Sequence, residues 1–220
     1  ENQTAVTDVQ STDPDSDTEG AGLTYSLTTV AAGGDDNGFF TLDVNTGLLT
    51  FTVAPDFETP GDADTDNAYE VQVTVTDSGG LTDRQDITVT VTDVNDAPVI
   101  TSNGGLATAN VNAAENQTAV TDVQSTDADG DLEGAGLTYS LTTVAAGGAD
   151  NGLFTLNVNT GLLTFTSVPD FETPGDANTD NDYEVQVTVT DSGGLTDRQD
   201  ITVTVTDVND APMITSNGGG

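Results

Sequence analysis

Apolar and polar residues alternate along several short segments of this chain. In residues 69–76 (YEVQVTVT) each apolar side chain is followed by a polar one, and residues 87–92 (ITVTVT) repeat the pattern. A period of two places one set of side chains on each face of a β-strand, so both segments are predicted to be half-buried strands. Residues 23–27 (LTYSL) predict a third strand, and no segment shows the period of an amphipathic helix.

The segment between residues 40 and 53 predicts a hairpin. Apolar positions alternate in residues 40–44 (FTLDV) and again in residues 49–53 (LTFTV), and the intervening Asn-Thr-Gly ends in Gly47. Glycine tolerates the positive φ that a tight turn between two strands requires. Residues 5–9 predict a further strand with a bulge, because Val6 and Val9 do not keep the alternation.

The whole pattern occurs twice. Residues 1–105 return almost unchanged as residues 115–219, and the segments ENQTAV, DFETP and TDVNDAP are identical in the two copies. A repeat of this length, with short strands and turn signals throughout, indicates tandem domains that each bury their own core. The predicted fold class is therefore all-β, with two tandem immunoglobulin-like β-sandwiches in a linear array.

The domain boundaries follow from the repeat. The first domain is predicted to cover residues 1–98, and the second residues 107–220 with a C-terminal tail. Residues 99–106 between them are rich in small polar residues and glycine, which predicts a linker segment. The first copy has no counterpart of residues 107–114, so its opening edge strand is expected to be missing.

Composition narrows the possible functions. The chain carries 38 acidic and 2 basic side chains, for a formal net charge of −36, which repels nucleic acid and anionic membrane surfaces. It has no His, Cys or Trp, so it lacks the usual general bases, thiol nucleophiles and soft-metal ligands. We expect no catalytic role and no disulfide framework. No apolar run is long enough to predict membrane insertion.

The acidic residues fall in the turns rather than in the strands, where they offer hard oxygen ligands for a divalent cation. Their motifs keep a fixed order: Glu in ENQ, Asp-x-Glu in DFE, a strand ending in VTVTD, the connector DVNDAP, and Asp-x-Asp in STDADGD. This order resembles the cadherin repeat as found in large bacterial surface adhesins, and the resemblance covers essentially the whole chain, twice. It implies Greek-key cadherin-like sandwiches with up to three calcium ions where consecutive domains meet.

The resemblance implies one complete calcium junction, at the boundary between the two repeats. Its ligands would come from the base of the first repeat, the connector and the top of the second repeat. The candidates are Glu1, Asp56, Glu58, Asp93, Val94, Asn95, Asp96, Asp127, Asp129 and Asp191. The connector is one residue shorter than the family pattern Asp-x-Asn-Asp-Asn-x-Pro, and Asp96 is a stronger candidate than Asp93.

The same motifs leave half-sites at the two outer ends of the chain. These consist of Asp13, Asp15 and Asp77 at the top of the first repeat, and of Glu115, Asp170, Glu172, Asp207, Asn209 and Asp210 at the base of the second. With only half of their ligands present, they are expected to bind calcium weakly.

Two further acidic clusters have other interpretations. Asp127-x-Asp129-x-Asp131 resembles the start of an EF-hand loop, but Leu132 and Thr138 occupy the positions where that loop needs Gly and Glu. The second cluster could hold an additional ion within its own loop, and ordinary solvated surface charge is the alternative. It consists of Asp62, Asp64 and Asp66, with Glu70 nearby.

Together these features predict a calcium-rigidified spacer of a secreted bacterial cell-surface adhesin, with Ca²⁺ as cofactor and neighbouring repeats as partners. Near identity of the repeats favours a spacer, because a rod needs only length. The alternative is a module that binds a polysaccharide or another cell-surface protein, for which Phe39 and Phe57 could be exposed aromatics. A glycosidase would need two acids facing each other across a cleft, which the motif order does not predict.

Overall fold

The computed structural model describes residues 1–28, 34–142 and 148–214. The chain divides into two compact units, Glu1–Val94 and Asn95–Gly220. Both units are built from β-strands, and the described part of each adds a single turn of 3₁₀ helix, at Asn37–Phe39 and Asn151–Leu153. The predicted all-β fold class is therefore confirmed. Within the described residues, no helix has both the length and the apolar character that a membrane span requires.

The first unit is a sandwich of two sheets. Its strands are β1 (Ala5–Asp8), β2 (Thr18–Glu19), β3 (Gly22–Leu27), β4 (Phe40–Leu42), β5 (Leu48–Phe51), β6 (Ala68–Thr76) and β7 (Thr82–Thr90). One sheet has the order β1-β5-β4, and the other the order β2-β3-β6-β7. Buried residues of both sheets meet in one core, where Phe40 stacks on Phe51 at 4.5 Å and Tyr69 meets Phe51 edge-on at 5.2 Å.

The second unit repeats this sandwich and extends it. Its strands are β8 (Val99–Ile100), β9 (Thr108–Ala114), β10 (Ala119–Asp122), β11 (Ser125–Thr126), β12 (Leu132–Glu133), β13 (Gly136–Leu141), β14 (Phe154–Leu156), β15 (Leu162–Phe165), β16 (Asp182–Thr190) and β17 (Thr196–Thr206). The sheets have the orders β10-β15-β14 and β12-β13-β16-β17-β9, and β8 pairs with β11. The larger sheet thus has five strands where its counterpart in the first unit has four.

The local features of the predicted strands are confirmed. The register between β1 and β5 shifts between Ala5 and Thr7, which is the expected bulge. Gly47 has a φ of +74° in the turn before β5, and a Cβ there would clash with the carbonyl oxygen of Val9. This turn therefore requires glycine for both its backbone conformation and the space beside it.

The segment 99–106, interpreted from the sequence as a linker, is folded onto the second unit. Val99 and Ile100 pair with β11, and Ile100 is 2% exposed. The side chain of Gln199 donates to the backbone carbonyls of Ser102 (3.3 Å) and Leu106 (2.8 Å). These contacts fix a segment whose composition alone is typical of a flexible connection, and the compact units divide after Val94 rather than after residue 98.

Candidate metal centres

At the base of the first unit, the carboxylate of Glu1 is held by two backbone N–H groups. Phe57 donates to one oxygen at 2.7 Å, and Val94 donates to the other at 2.8 Å. Glu1, Asp56 and Glu58 each present a carboxylate oxygen within 4.8 Å of the other two. Three oxygens at this spacing can contact one divalent cation, since calcium–oxygen distances are about 2.3 to 2.6 Å.

The base of the second unit has the same arrangement. Glu115 is 3% exposed and accepts N–H donors from Phe171 (2.9 Å) and Val208 (2.7 Å). These hydrogen bonds favour the charged form and lower the pKa of Glu115. Oxygens of Glu115, Glu172 and Asp207 lie within 4.8 Å of one another. The charged Glu115 therefore occupies a fixed position within a group of acids.

The charge at this base is not balanced by nearby donors. The backbone N–H of Glu172 favours its charged form, but burial and the carboxylates of Glu115, Asp207 and Asp210 together raise its pKa. Such repulsion is relieved when a cation binds. The other base candidates lie at exposed positions of irregular segments: Asp93, Val94, Asp170, Asn209 and Asp210.

At the opposite end of the second unit, the carboxylate of Asp127 is shielded from solvent. Neither of its oxygens makes a hydrogen bond of ordinary geometry. Burial raises the pKa of Asp127 more strongly than the nearby N–H groups of Asp129 and Asp131 lower it. A shielded carboxylate without partners is costly unless a cation or a proton neutralises it.

Two neighbours of Asp127 hold the start of the second unit. The side-chain amide of Asn95 donates to Asp191 at 2.8 Å, and the backbone N–H of Asp96 donates to Asp129 at 2.8 Å. Burial disfavours the charged form of Asp191, but the bonds from Asn95 and from the Leu195 backbone outweigh it and lower its pKa. Residues 95 and 96 are thus fixed against the top of this unit.

The top of the first unit differs at one acid, Asp13. Asp13 accepts the N–H of Asp15 at 2.7 Å, and Asp77 accepts the N–H of Leu81 at 2.8 Å. Among the residues that the structure describes, neither these three acids nor their counterparts Asp127, Asp129 and Asp191 form a group of carboxylates within 4.8 Å of one another. Asp13 therefore accepts a hydrogen bond of ordinary geometry, whereas its counterpart Asp127 accepts none.

These residues fit a hard cation. Every candidate offers oxygen, the ligand atom that Ca²⁺ prefers, and Ca²⁺ tolerates the irregular geometry of several converging loops. Arg84 and Arg198 are the only basic side chains, so they cannot neutralise more than a small part of 38 acids. Ca²⁺ would supply positive charge and would cross-link loops that otherwise repel one another.

A sequence profile of the Cadherin domain matches residues 1–92 and 108–206. The chain belongs to the cadherin family. Both units described above are cadherin repeats, which confirms the resemblance inferred from the acidic motifs.

Relatives of this cadherin chain include much longer proteins. The protocadherin-like wing polarity protein stan of Drosophila melanogaster is 32% identical over 217 residues, which is 97% of this chain and 6% of that protein. Halomucin of Haloquadratum walsbyi is 37% identical over 99 residues, 44% of this chain and 1% of its own length. The chain therefore spans no more than 6% of either relative.

A solved structure has the same fold. Drosophila N-cadherin EC1-4 is 22% identical, with a TM-score of 0.50, over 94% of this chain and 46% of that one. At this identity the likeness shows the cadherin fold alone.

Sequence reasoning missed a buried acid in each repeat. Asp36 is 2% exposed, and its carboxylate accepts the N–H groups of Ala63 (3.1 Å) and Glu70 (2.9 Å). Asp150 does the same in the second repeat, with Ala177 and Glu184. The run Asp-Asn-Gly, present in both copies before the strand that starts with Phe, was the available signal. Asp36 fixes the loop that carries Asp62, Asp64 and Asp66.

The aromatic residues that could have formed a sugar platform are engaged with the core. Phe39 is 38% exposed, but its ring meets Tyr69 edge-on at 5.5 Å. Phe57 is partly buried against the core of the first repeat. These contacts give no support to a carbohydrate-binding surface.

Proposed function

We propose that this chain is a calcium-rigidified spacer of an extracellular adhesion protein, in which Ca²⁺ stiffens the connection between consecutive repeats. The observation that carries the proposal is Asp127, a carboxylate shielded from solvent with no hydrogen bond of ordinary geometry to either oxygen. Asp129 and Asp191 lie in the same motif set, and both already hold connector residues. A cation at Asp127 would complete this arrangement.

The proposed ligand set combines two groups of acids. Glu1, Asp56 and Glu58 form the group at the base of the first repeat. The second group lies in the second unit and consists of Asp96, Asp127, Asp129 and Asp191. Residues 93–96 of the connector join the two groups along the chain. Ions shared by the two groups would remove the freedom of the connector, whereas without ions close carboxylates repel each other by roughly 4 kcal/mol per pair at an effective dielectric of about 20.

Membership of the cadherin family supports an adhesive role outside the cell, with neighbouring repeats as the first partners. We extend the proposal to a bacterial surface adhesin on the strength of the near-identical copies, since a rod gains length by repeating one module. The proposal includes no enzymatic activity. Polysaccharide binding has no supporting observation, and homophilic contact between repeats of different chains is the second candidate, because cadherin repeats form both units.

The replacement Asp127→Asn tests the proposal, because it keeps the shape of the side chain and removes its charge. In chelator we expect the variant to equal or exceed the parent in stability, since a poorly solvated charge is gone. In calcium we expect the order to reverse, because the variant has lost a ligand. Denaturant unfolding of both proteins in calcium and in chelator, followed by NMR signals of the second repeat, measures this reversal.

The mechanical part needs a second readout on the same proteins. Distance labels on the two repeats should give a narrow distribution for the parent in calcium, and a broad one for the parent in chelator and for Asp127→Asn. Asp13→Asn is the matched control, since it changes the same motif in the other repeat. A distance distribution that does not change with calcium, or equal effects of Asp127→Asn and Asp13→Asn, would contradict the proposal.

A further inference from the structure

The loop before β6 carries a second group of acids in the first repeat. Asp62, Asp64 and Asp66 each offer an oxygen within 4.8 Å of the other two. At this spacing their negative charges repel one another. Glu70 is linked to this loop through Asp36, whose carboxylate accepts the N–H groups of both Ala63 and Glu70. A cluster of exposed acids alone does not identify a metal site. The environment of the buried acid in this cluster is therefore the more informative observation.

Asp62 is the buried member of the cluster, at 4% exposure. Its Oδ2 accepts the N–H groups of Asp66 (2.9 Å) and Asn67 (3.1 Å), which close the loop around it. Its Oδ1 is shielded from solvent and has no hydrogen-bond partner. The side-chain oxygen of Asn67, in the same loop, is also shielded without a partner. Two acceptors without donors beside two further carboxylates form a group that lacks positive charge.

The second repeat contains the same loop with one charge fewer. Asp176 is 4% exposed, accepts the N–H of Asp180 at 2.9 Å, and leaves its Oδ1 shielded without a partner. Asn178 replaces Asp64, and its amide donates to Asp180 at 2.9 Å. Asp180 of the second cluster therefore has a side-chain hydrogen-bond donor within its own loop. Within the six-residue loops this is the one difference, and just beyond them Asp182 replaces Ala68 and accepts a hydrogen bond from Thr204.

We propose that the loop of residues 62–67 is a separate Ca²⁺ site within the first repeat, with Asp62, Asp64 and Asp66 as its carboxylate ligands. Asp62 Oδ1 is the buried ligand, and Asp64 and Asp66 close the site from the solvent side. Glu70 and the oxygen of Asn67 are close enough along the loop to complete an oxygen shell of about six to eight ligands. The loop of residues 176–181 is the weaker form of the same site. This site lies within one repeat and is independent of the proposed spacer function.

The site explains how a loop with three acids in five residues holds a fixed conformation. The loop lies beside β6, whose residue Glu70 it contacts through Asp36. An ion bound there would tie the loop to the strand without any contribution from a neighbouring repeat. It would therefore stabilise single repeats, whereas a junction stabilises pairs.

A calcium titration of the ¹⁵N-labelled chain by NMR tests this assignment, because amide signals report each loop separately. We expect the signals of residues 62–67 to shift with their own midpoint. Asp64→Asn, which copies the second repeat, should weaken that midpoint at least tenfold. The reciprocal change Asn178→Asp should strengthen the response of residues 176–181 at least tenfold. Both variants should stay folded, because each residue already occurs at this place in one copy.

Asp83→Asn is the control for a general loss of negative charge, since Asp83 is exposed on β7 and outside the cluster. It should leave the loop midpoint within about twofold of the parent. Absence of any calcium shift in residues 62–67, or an equal effect of Asp64→Asn and Asp83→Asn, would overturn the assignment and leave a water molecule as the partner of Asp62. Signals of Phe57 and Val94, whose N–H groups hold Glu1, report the base of the repeat separately.

Discussion

The last strand of the first repeat, β7, and the last strand of the second, β17, share a sequence but have different neighbouring strands. The nine residues TDRQDITVT form β7 in the first repeat and begin β17 in the second. β17 pairs with β16 on one edge and with β9 on the other, whereas β7 pairs with β6 alone. As a result Ile201 is buried at 1% exposure, while its counterpart Ile87 is only partly buried. Identical residues therefore acquire different roles from the strands beside them.

The segment ahead of the second repeat creates this difference. β9 lies parallel to β17 over seven residue pairs, and the side chain of Gln199 is fully buried beneath the preceding loop. Its counterpart Gln85 is exposed. The additional burial of Ile201 and Gln199 thus comes from residues 99–114, which lie ahead of the second copy, and not from the sequence of the copied strand itself.

The largest difference in stability between the two repeats is expected from truncating the equivalent isoleucines Ile201 and Ile87. We expect Ile201→Ala to destabilise the second repeat by about 2 to 5 kcal/mol, because it leaves a cavity in a closed core. Ile87→Ala should cost the first repeat clearly less, since part of that side chain already contacts water. Denaturant unfolding followed by NMR signals of each repeat measures both. Equal losses would mean that β9 adds no burial to β17.

A smaller effect is expected from the paired glutamines. Gln199→Ala removes the donor to the carbonyls of Ser102 and Leu106 and the acceptor for Asn103 (3.2 Å). Leaving such buried groups without partners costs about 1 to 3 kcal/mol. Gln85→Ala should be nearly neutral, because Gln85 is exposed. Hydrogen exchange of residues 99–106 should rise in Gln199→Ala alone, and an unchanged rate would show that Gln199 does not hold this segment.

The paired tyrosines give the subtlest difference, which appears only at alkaline pH. Burial raises the pKa of Tyr139 from 10.0 to about 12, and the pKa of Tyr25 is raised by the same cause. The folded second repeat then keeps a proton that the unfolded chain loses, so its stability should fall as pH rises from 10 towards 12. Below pH 10 this contribution is fully present.

Tyr139→Phe should remove that alkaline loss from the second repeat, and Tyr25→Phe should do the same for the first. Ultraviolet absorbance of the phenolate during a pH titration identifies the tyrosine that ionises last. If Tyr139→Phe leaves the most alkaline step in place, burial of the hydroxyl between Ser125 and Glu133 is not its cause.

The sequence was informative wherever a local rule sets the structure. Alternation in residues 69–76 predicts β6, and Gly47 predicts its turn, because neither depends on distant residues. Residues 99–106 are predicted to be a linker segment because glycine and small polar residues are typical of linkers, and this composition does not predict the contacts that the segment makes. What fixes them is the pairing of β8 with β11 and the burial of Gln199, which are contacts between distant positions.

The same limit applies to the candidate sites. The order of motifs selected Glu1, Asp56 and Glu58, and the structure brings these three together. The sequence separates Asp127 from Asp13 only by their positions relative to the junction, because both occupy the same motif. Only burial and the absence of a donor single out Asp127. Burial and hydrogen-bond partners were also needed to identify Asp62 and Asp36, because a run of acids in a loop is usually solvated charge.

The parallel pairing of β9 with β17 has a consequence for load. β9 enters the second repeat near Asp200, and β17 leaves it beside Ala114, at the other end of the paired stretch. Tension on the chain through these two strands pulls them past each other along their length. The hydrogen bonds between the two strands must then break together instead of one at a time from an end. This pairing therefore resists stretching of the second repeat.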